Sequence, residues 1–300
     1  MGWDIIKSFL VFLAIVIGFI LILLLPREMS VTHHGGFVFT ADFPFSIEIY
    51  KERIKEFIIF IREERGFGNN HTGLPISEEV QKLLGRSLQI IIPAFILSII
   101  VGTFLGIIQF YFRDSLLGKI QAFFSWFFSS IPDFFLFIAI QYLLIKLFHL
   151  GVPRISLYGN DHWYNFIVPL VAVTLFPLIH MVKFTAATLE NEVGQDYVRT
   201  AKSKGLQNIR ILIHKLWNCW YSLLNQTQFV MLYILSSLPI IEKLSSYKGA
   251  GVELLNSIMG NQDMRALAIM IPFLLLMFTT ILLSKIVKHR LLPQNSGELR

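Results

Sequence analysis

The chain has 300 residues, of which 54% are hydrophobic and only 15% charged, with 28 phenylalanines and a net charge of +6. Soluble domains carry roughly 25% charged and 45–50% apolar residues, so a soluble enzyme, a disordered tail and a disulfide-stapled secreted domain are excluded. The single cysteine, Cys219, has no internal partner, and the basic residues flank apolar runs instead of clustering on a soluble face that would suit nucleic acid.

Crossing a bilayer takes roughly 20 apolar residues in a helix. Six runs qualify, over 8–25, 87–112, 120–145, 163–182, 216–241 and 266–284. Only the third contains a charge, Asp133. The pattern predicts an all-α integral membrane protein with six transmembrane helices. Ahead of the first run, Lys7 is offset by Asp4 and no small-x-small site follows, so residues 1–26 read as an uncleaved anchor. With the N-terminus inside, thirteen Lys and Arg lie in the inner segments. Five, namely Lys146, Arg154, Lys243, Lys248 and Arg265, lie in the short outer loops. The asymmetry places both termini in the cytoplasm.

Residues 27–86 then form an external insertion. Ile47, Tyr50, Ile54, Phe57, Ile58 and Ile61 share one stripe of a helix over 46–65, and Gly66 stands where a left-handed C-cap is expected. Ser77 suits the N-cap of a second short helix, with Glu78 and Glu79 in its first turn. The segment reads either as a cap that packs on the bundle or as a docking surface for an external partner.

Asp133 is costly at the bilayer centre, about 2.5–3.5 kcal/mol on insertion scales, so it should face protein or water. It is a candidate for binding a substrate amine, or for a passive position near the headgroups. Asn225, Gln226, Thr227 and Gln228 make the fifth span polar near its midpoint. Four consecutive residues cover every helix face, so interhelical hydrogen bonding is the default for most of them, with Asn225 and Gln228 the candidates for a pathway. Pro93, Pro132, Pro169, Pro177, Pro239 and Pro272 are candidate kinks that neighbouring helices also tolerate. The eight histidines, His33-His34 included, have no metal-site spacing, and Asn70-His71-Thr72 matches a glycosylation sequon that has no meaning in a bacterial cell.

Between the fourth and fifth spans, Val193, Tyr197, Val198 and Ala201 share a face that Asp196, Arg199, Lys202 and Lys204 surround. Gly205 follows as a C-cap, Leu206 is placed for its hydrophobic contact, and Asn208 starts a new helix. The loop reads as a short amphipathic helix, a sharp turn and a second helix. A helix on the anionic leaflet and a solvated connection are the plain alternatives. Ala201 and Gly205 favour a close contact with another surface.

The run Glu192-x-x-x-Asp196-Tyr197-Val198-Arg199-Thr200-Ala201-Lys202-Ser203-Lys204-Gly205-Leu206 resembles the cytoplasmic loop of permease subunits in ATP-binding-cassette importers of the oligopeptide, dipeptide and nickel group. Ser130-Ile131-Pro132-Asp133-Phe134, Val168-Pro169-Leu170 and the segment from Ile241-Glu242 to Gly249-Ala250-Gly251 resemble further family patterns in the same order. The likeness covers about residues 80–285.

The resemblance implies a MetI-like permease core over 87–290 with a coupling loop at 190–215 and a tail at 291–300. It implies that Asp196, Tyr197, Arg199, Ala201, Lys204, Gly205 and Leu206 seat in a cleft on a cytoplasmic ATPase. It also implies two such ATPases, which bind ATP and magnesium, a second homologous permease and an external substrate-binding lipoprotein. The chain has no Gly-x-x-x-x-Gly-Lys-Ser/Thr to cradle a triphosphate, so a transport subunit without catalytic residues, metal or cofactor of its own is expected. Two departures stand out. Lys248 replaces the family's proline, and the tail lacks the family's Asp-Pro-Arg-like end. The competing class is an ATP-independent secondary transporter or channel, which calls for inverted repeats and buried coupling charges. An intramembrane enzyme would need a nucleophile–base pair or a motif such as His-Glu-x-x-His, and neither is present.

Overall fold

The computed structural model describes residues 2–26, 30–33, 39–42, 46–64, 66–70, 73–151 and 158–291. Arg27, Glu28, His34, His71, Thr72, Arg154 and the tail from 292 lie outside them. The chain divides into two compact units, Met1–Leu84 with Glu253–Leu275, and Gly85–Val252 with Leu276–Arg300.

The first unit contains α1 (Gly2–Leu23), a two-stranded antiparallel hairpin of β1 (Ser30–His33) and β2 (Phe39–Asp42), and α2 (Ile47–Glu64). It also takes in the first turns of α3 (Ile76–Tyr111), most of α9 (Ala250–Met259) and the first half of α10 (Asp263–Leu291). The hairpin is a local exception to the expected all-α fold. Leu23, Ala266, Leu267 and Met270 form the core, with Phe57 and Phe67 against it. The Tyr50 hydroxyl donates to the Leu21 carbonyl at 2.8 Å and ties α2 to the end of α1.

The expected apolar stripe of α2 is only partly used. Phe57 packs inward, whereas Ile47 and Ile58 stay about 60% exposed. The left-handed glycine after α2 is Gly68, with φ 75, and not Gly66. A Cβ on Gly68 would lie 2.8 Å from the Phe60 ring, so the turn closes tightly over that side chain. Ser77 caps no separate helix. It lies inside the first turn of α3, which begins at Ile76 and runs unbroken for 36 residues. Glu78 and Glu79 do occupy the first turn. Arg265 bridges Glu79 at 2.5 Å and Glu253 at 2.9 Å, pinning the start of α10 to α3 and α9 within this unit.

The second unit holds the rest of α3, α4 (Leu116–Ser129), α5 (Asp133–His149), a 3-10 turn at Trp163–Phe166, α6 (Ile167–Asn191), α7 (Asp196–Ser203), α8 (Asn208–Leu244) and the end of α10. Its centre is the pairing of α6 with α8, against which α5 also packs. The α3–α6 approach uses Gly102 and Gly106, four positions apart on one face. A Cβ on either would come within 2.6 Å of Met181 or Thr185. Small residues at this spacing let two helices meet backbone to backbone where no hydrophobic effect drives them together.

Among the described residues, five helices are long and apolar enough to cross a membrane: Ile6–Leu23 within α1, α3, Trp163–Asn191, α8 and Asp263–Arg290 within α10. The third expected span is not one helix. It is the pair α4 and α5, bent by 104° at Ser130-Ile131-Pro132, and it passes the same test only as a pair. Pro132 has no N–H to donate and stands at the N-cap of α5. Pro93, Pro177, Pro239 and Pro272 lie inside helices that continue through them. The outward aromatic side chains of α4, Phe123, Phe124 and Trp126, are more than half exposed, as expected of a surface whose solvent is lipid.

Candidate functional site

The α6–α8 connection is built from local capping chemistry. Lys204 ends α7, and Gly205 adopts φ 73. The Gly205 N–H donates to the Lys202 carbonyl at 2.9 Å and the Leu206 N–H to the Ala201 carbonyl at 3.2 Å. These two bonds make a Schellman motif. No atom lies within 4 Å of a Cβ placed on Gly205, so glycine is needed there for its backbone angle and not for space. Asn208 begins α8 as expected.

The faces of α7 divide sharply. Val198 and Ala201 are buried against Ile211 of α8, flanked by Tyr197 and Leu206. The Tyr197 hydroxyl donates to Glu192 Oε2 at 2.5 Å, tying α7 to the end of α6. Burial and then this bond to a carboxylate push the phenol up to about 12. Asp196 and Arg199 are 96% and 76% exposed and pair loosely at 3.4 Å. Lys202, Ser203, Lys204 and Gly205 are exposed beside them. Of the seven expected coupling residues, Asp196, Arg199, Lys204 and Gly205 therefore share the outer surface, while Tyr197, Ala201 and Leu206 pack against their own chain. Beneath it, Arg113 of the α3–α4 turn pairs with Glu190 at 2.9 Å, and buried Lys215 stands 4.9 Å from the centre of the Phe110 ring.

The α6–α8 seam carries a stair of rings that the sequence reading passed over. Phe176 stacks on Tyr233 with ring centres 4.1 Å apart, and His180 lies 4.2 Å from Phe229. His180 Nε2 donates to Gln226 Oε1 at 3.0 Å. Phe176, His180, Gln226 and Tyr233 are partly buried and Phe229 is exposed. The signal was the four-residue step Phe176, His180, Phe184 along α6, a period that in a single sequence also describes a core stripe.

Asp133 lies at the end of this stair, beside Tyr233. It is not in the middle of a continuous helix. It opens α5, and its carboxylate accepts the Phe134 N–H at 2.8 Å, where the helix dipole favours a negative charge. The polar patch on α8 is shared out as its geometry requires. Asn225 accepts from Lys288 Nζ on α10, Gln226 binds His180, and Thr227 donates to the Leu224 carbonyl of its own helix. Gln228 is half-buried and makes no side-chain hydrogen bond among the described residues. The structure thus joins Asp133 to the seam, and of the patch it is Gln226, not Asn225, that the seam takes up. Among the described residues no three His, Cys, Asp or Glu side chains lie close enough together to hold a metal.

The Glu242–Gly251 segment has a structural role. Glu242 is fully buried, and its Oε2 accepts the Val252 N–H in the first turn of α9. A Cβ on Gly249 would collide with its Oε1 at 2.2 Å. The Lys248 N–H donates to Asn160 Oδ1 at 2.7 Å, a bond that a proline at this position would lack.

Comparison with known proteins places this architecture. The model of a family described as "Binding-protein-dependent transport system inner membrane component" matches residues 85–294, starting at the first residue of the second unit. The chain is similar to the glutathione transport system permease protein GsiC of Escherichia coli strain K12, 24% identical over 185 residues that cover 61% of this chain and 59% of that protein. GsiC of Salmonella choleraesuis strain SC-B67 is also 24% identical, over 192 residues that cover 64% and 60%. The chain thus spans about three fifths of the length of the curated relatives it matches.

Proposed function

Because the chain belongs to the family of binding-protein-dependent transport system inner membrane components, we propose that it is the permease subunit of an ATP-binding-cassette importer. It forms half of the pathway for peptides or similar small solutes and couples to cytoplasmic ATPase subunits through the 192–206 loop. The observation that carries this reading is α7, a short helix clamped to α6 and α8 by Tyr197, Val198, Ala201 and the Schellman turn. Its outward face of Asp196, Arg199, Lys204 and Gly205 is left for a partner. A helix so held transmits a push to both spans.

The second homologous permease closes the pathway opposite the Phe176–Tyr233 and His180–Gln226 seam. An external substrate-binding lipoprotein delivers the solute. ATP and magnesium belong to the ATPase subunits, and this chain has no ATPase site of its own. It is a multi-pass protein of the cytoplasmic membrane with both termini inside, in keeping with the thirteen-to-five distribution of Lys and Arg. The relatives' names carry glutathione, a tripeptide, which fits the solute class.

Co-purification tests the reading. Gly205→Val forces a β-branched side chain into φ 73, and the double variant Arg199→Glu with Lys204→Glu reverses the outer charges. Both should insert in the membrane and lose the ATPase subunits. Full retention of the ATPases in both would refute the assignment of α7.

A further inference from the structure

The helix α2 is too charged to cross a bilayer, yet its own unit leaves an apolar stripe of it uncovered. At about 100° per residue, Ile47, Ile54, Ile58 and Ile61 fall within about 60° of one another. Ile47 and Ile58 are 61% and 60% exposed, Ile61 is exposed as well, and Ile54 is half-buried. The next sector around the helix is basic, with Lys51, Lys55 and Arg62. All three are exposed, and none takes part in an ion pair among the described residues. Beyond them lie Glu48, Glu52, Glu56 and Glu63, with Ile59 among them. The packed face, with Tyr50 and Phe57, borders the stripe on its other side.

The attachment of α2 sets its level. Tyr50 donates to the Leu21 carbonyl at 2.8 Å, and Phe57 packs on the cluster of Leu23, Ala266, Leu267 and Met270. Leu23 closes the apolar window of α1, and Ala266 stands in the first turn of α10. The two meet in one cluster, so they mark the same side of the bilayer. Tyr50 and Phe57 are seven residues apart, about 10 Å along the helix axis, and both reach this level. The helix therefore runs across the ends of the spans, along the bilayer surface and not away from it.

We infer that α2 is an interfacial helix whose partner is the lipid surface itself. Ile47, Ile54, Ile58 and Ile61 sink into the acyl boundary, Lys51, Lys55 and Arg62 meet headgroup phosphates, and the glutamates face water. The order of the sectors favours lipid over a soluble protein. Phosphates stand just outside the acyl boundary, where the basic sector lies, and they repel the acidic groups, which lie farther round. The inference needs no ATPase, solute or second permease.

The test places a nitroxide spin label at single cysteines of the full chain in nanodiscs of phosphatidylethanolamine and phosphatidylglycerol, with buried Cys219 replaced by serine. Collision is measured with oxygen, which concentrates in lipid, and with nickel ethylenediamine diacetate, which stays in water. Labels at Ile47→Cys and Ile58→Cys should favour oxygen and read a depth of roughly 5–10 Å. Labels at Glu52→Cys and Glu63→Cys should favour the nickel reagent. Adding Lys51→Glu with Lys55→Glu should move the label at 58 toward water. Two stripe positions keep the test sharp if one variant misfolds, which thermal unfolding reports. Labels at 47 and 58 that favour the nickel reagent would overturn the inference, because the stripe would then stand in water, open to a protein partner. Shielding of both from oxygen and nickel alike would overturn it too, because protein would then cover the stripe. The transport reading is judged separately, by ATPase co-purification.

Discussion

Glu242 and Ser87 stand 155 positions apart in the chain and hold one another at 2.5 Å. Between them they receive the free N–H groups at the start of α9: Ala250 donates to Ser87 Oγ at 2.7 Å and Val252 to Glu242 Oε2 at 2.8 Å. A fully buried carboxylate is tolerable here because each oxygen accepts a hydrogen bond and the helix dipole points its positive end at it. The glycines of the segment are the counterpart, since Gly249 and Gly251 leave room for the carboxylate oxygens that any Cβ would meet.

Glu242→Ala should destabilise the protein by about 3 kcal/mol, because Ser87 and the Val252 N–H lose their partner in a buried place. Gly249→Ala should cost a similar amount by overpacking. Thermal unfolding in detergent measures both, and a neutral Gly249→Ala would disprove the tight cradle.

Gly102 and Gly106 make a second prediction. Gly106→Leu pushes α3 off Thr185 and Val182 and should cost about 1–3 kcal/mol or more, seen as a lower unfolding temperature and poorer yield. Gly85→Leu is the control, because no atom lies within 4 Å of its Cβ position. Equal behaviour of the two variants would contradict close packing of α3 on α6.

Lys248→Pro would remove the backbone donor to Asn160. A loss of about 1 kcal/mol is expected. Asn160→Ala also removes a side-chain hydrogen bond with Tyr247 and should cost more, and the double variant should cost little more than Asn160→Ala alone, because the Lys248 N–H bond is then lost only once. Additive losses would show that the Lys248 N–H and Asn160 act independently.

The seam is tested by uptake. His180→Ala removes both the Phe229 contact and the Gln226 bond, and Tyr233→Ala removes the ring that stacks on Phe176 and stands beside Asp133. Under the transport reading each should lower solute uptake by about tenfold, a loss of 1.4 kcal/mol in the transport step, with ATPase co-purification unchanged. Uptake at the unaltered rate in both would remove the seam from the pathway.

Local chemistry was legible in the sequence and long-range pairing was not. The turn at Gly205 and Leu206 could be read because a Schellman cap is set by residues within one turn of each other. The long apolar runs marked α1, α3, α6, α8 and α10, although α3 begins well before the uncharged stretch: a helix rooted in the protein need not be apolar throughout. Pro132 was visible as a kink, but nothing local distinguishes a kink from the 104° break between α4 and α5. Ser87 and Glu242 pair across most of the chain, and no periodicity reports that. Residues 225–228 showed only that their four side chains must point four ways. Which of them meets His180 and which meets Lys288 depends on the rotation of α8 against α6 and α10. Ala201 looked like a contact for a partner because it is small and near Gly205, yet the same smallness lets α7 settle on Ile211.

The central claim, that the outer face of α7 touches a cytoplasmic ATPase, is tested most directly by crosslinking. The only cysteine, Cys219, is buried, so Lys204→Cys in a Cys219→Ser background supplies one accessible thiol. With ATPase subunits co-expressed in native membranes, a short thiol-to-amine crosslinker should join the two chains, and nucleotide should change the yield. Labelling of this thiol by a membrane-impermeant reagent applied from outside intact cells, with no crosslink to the ATPase, would contradict the account.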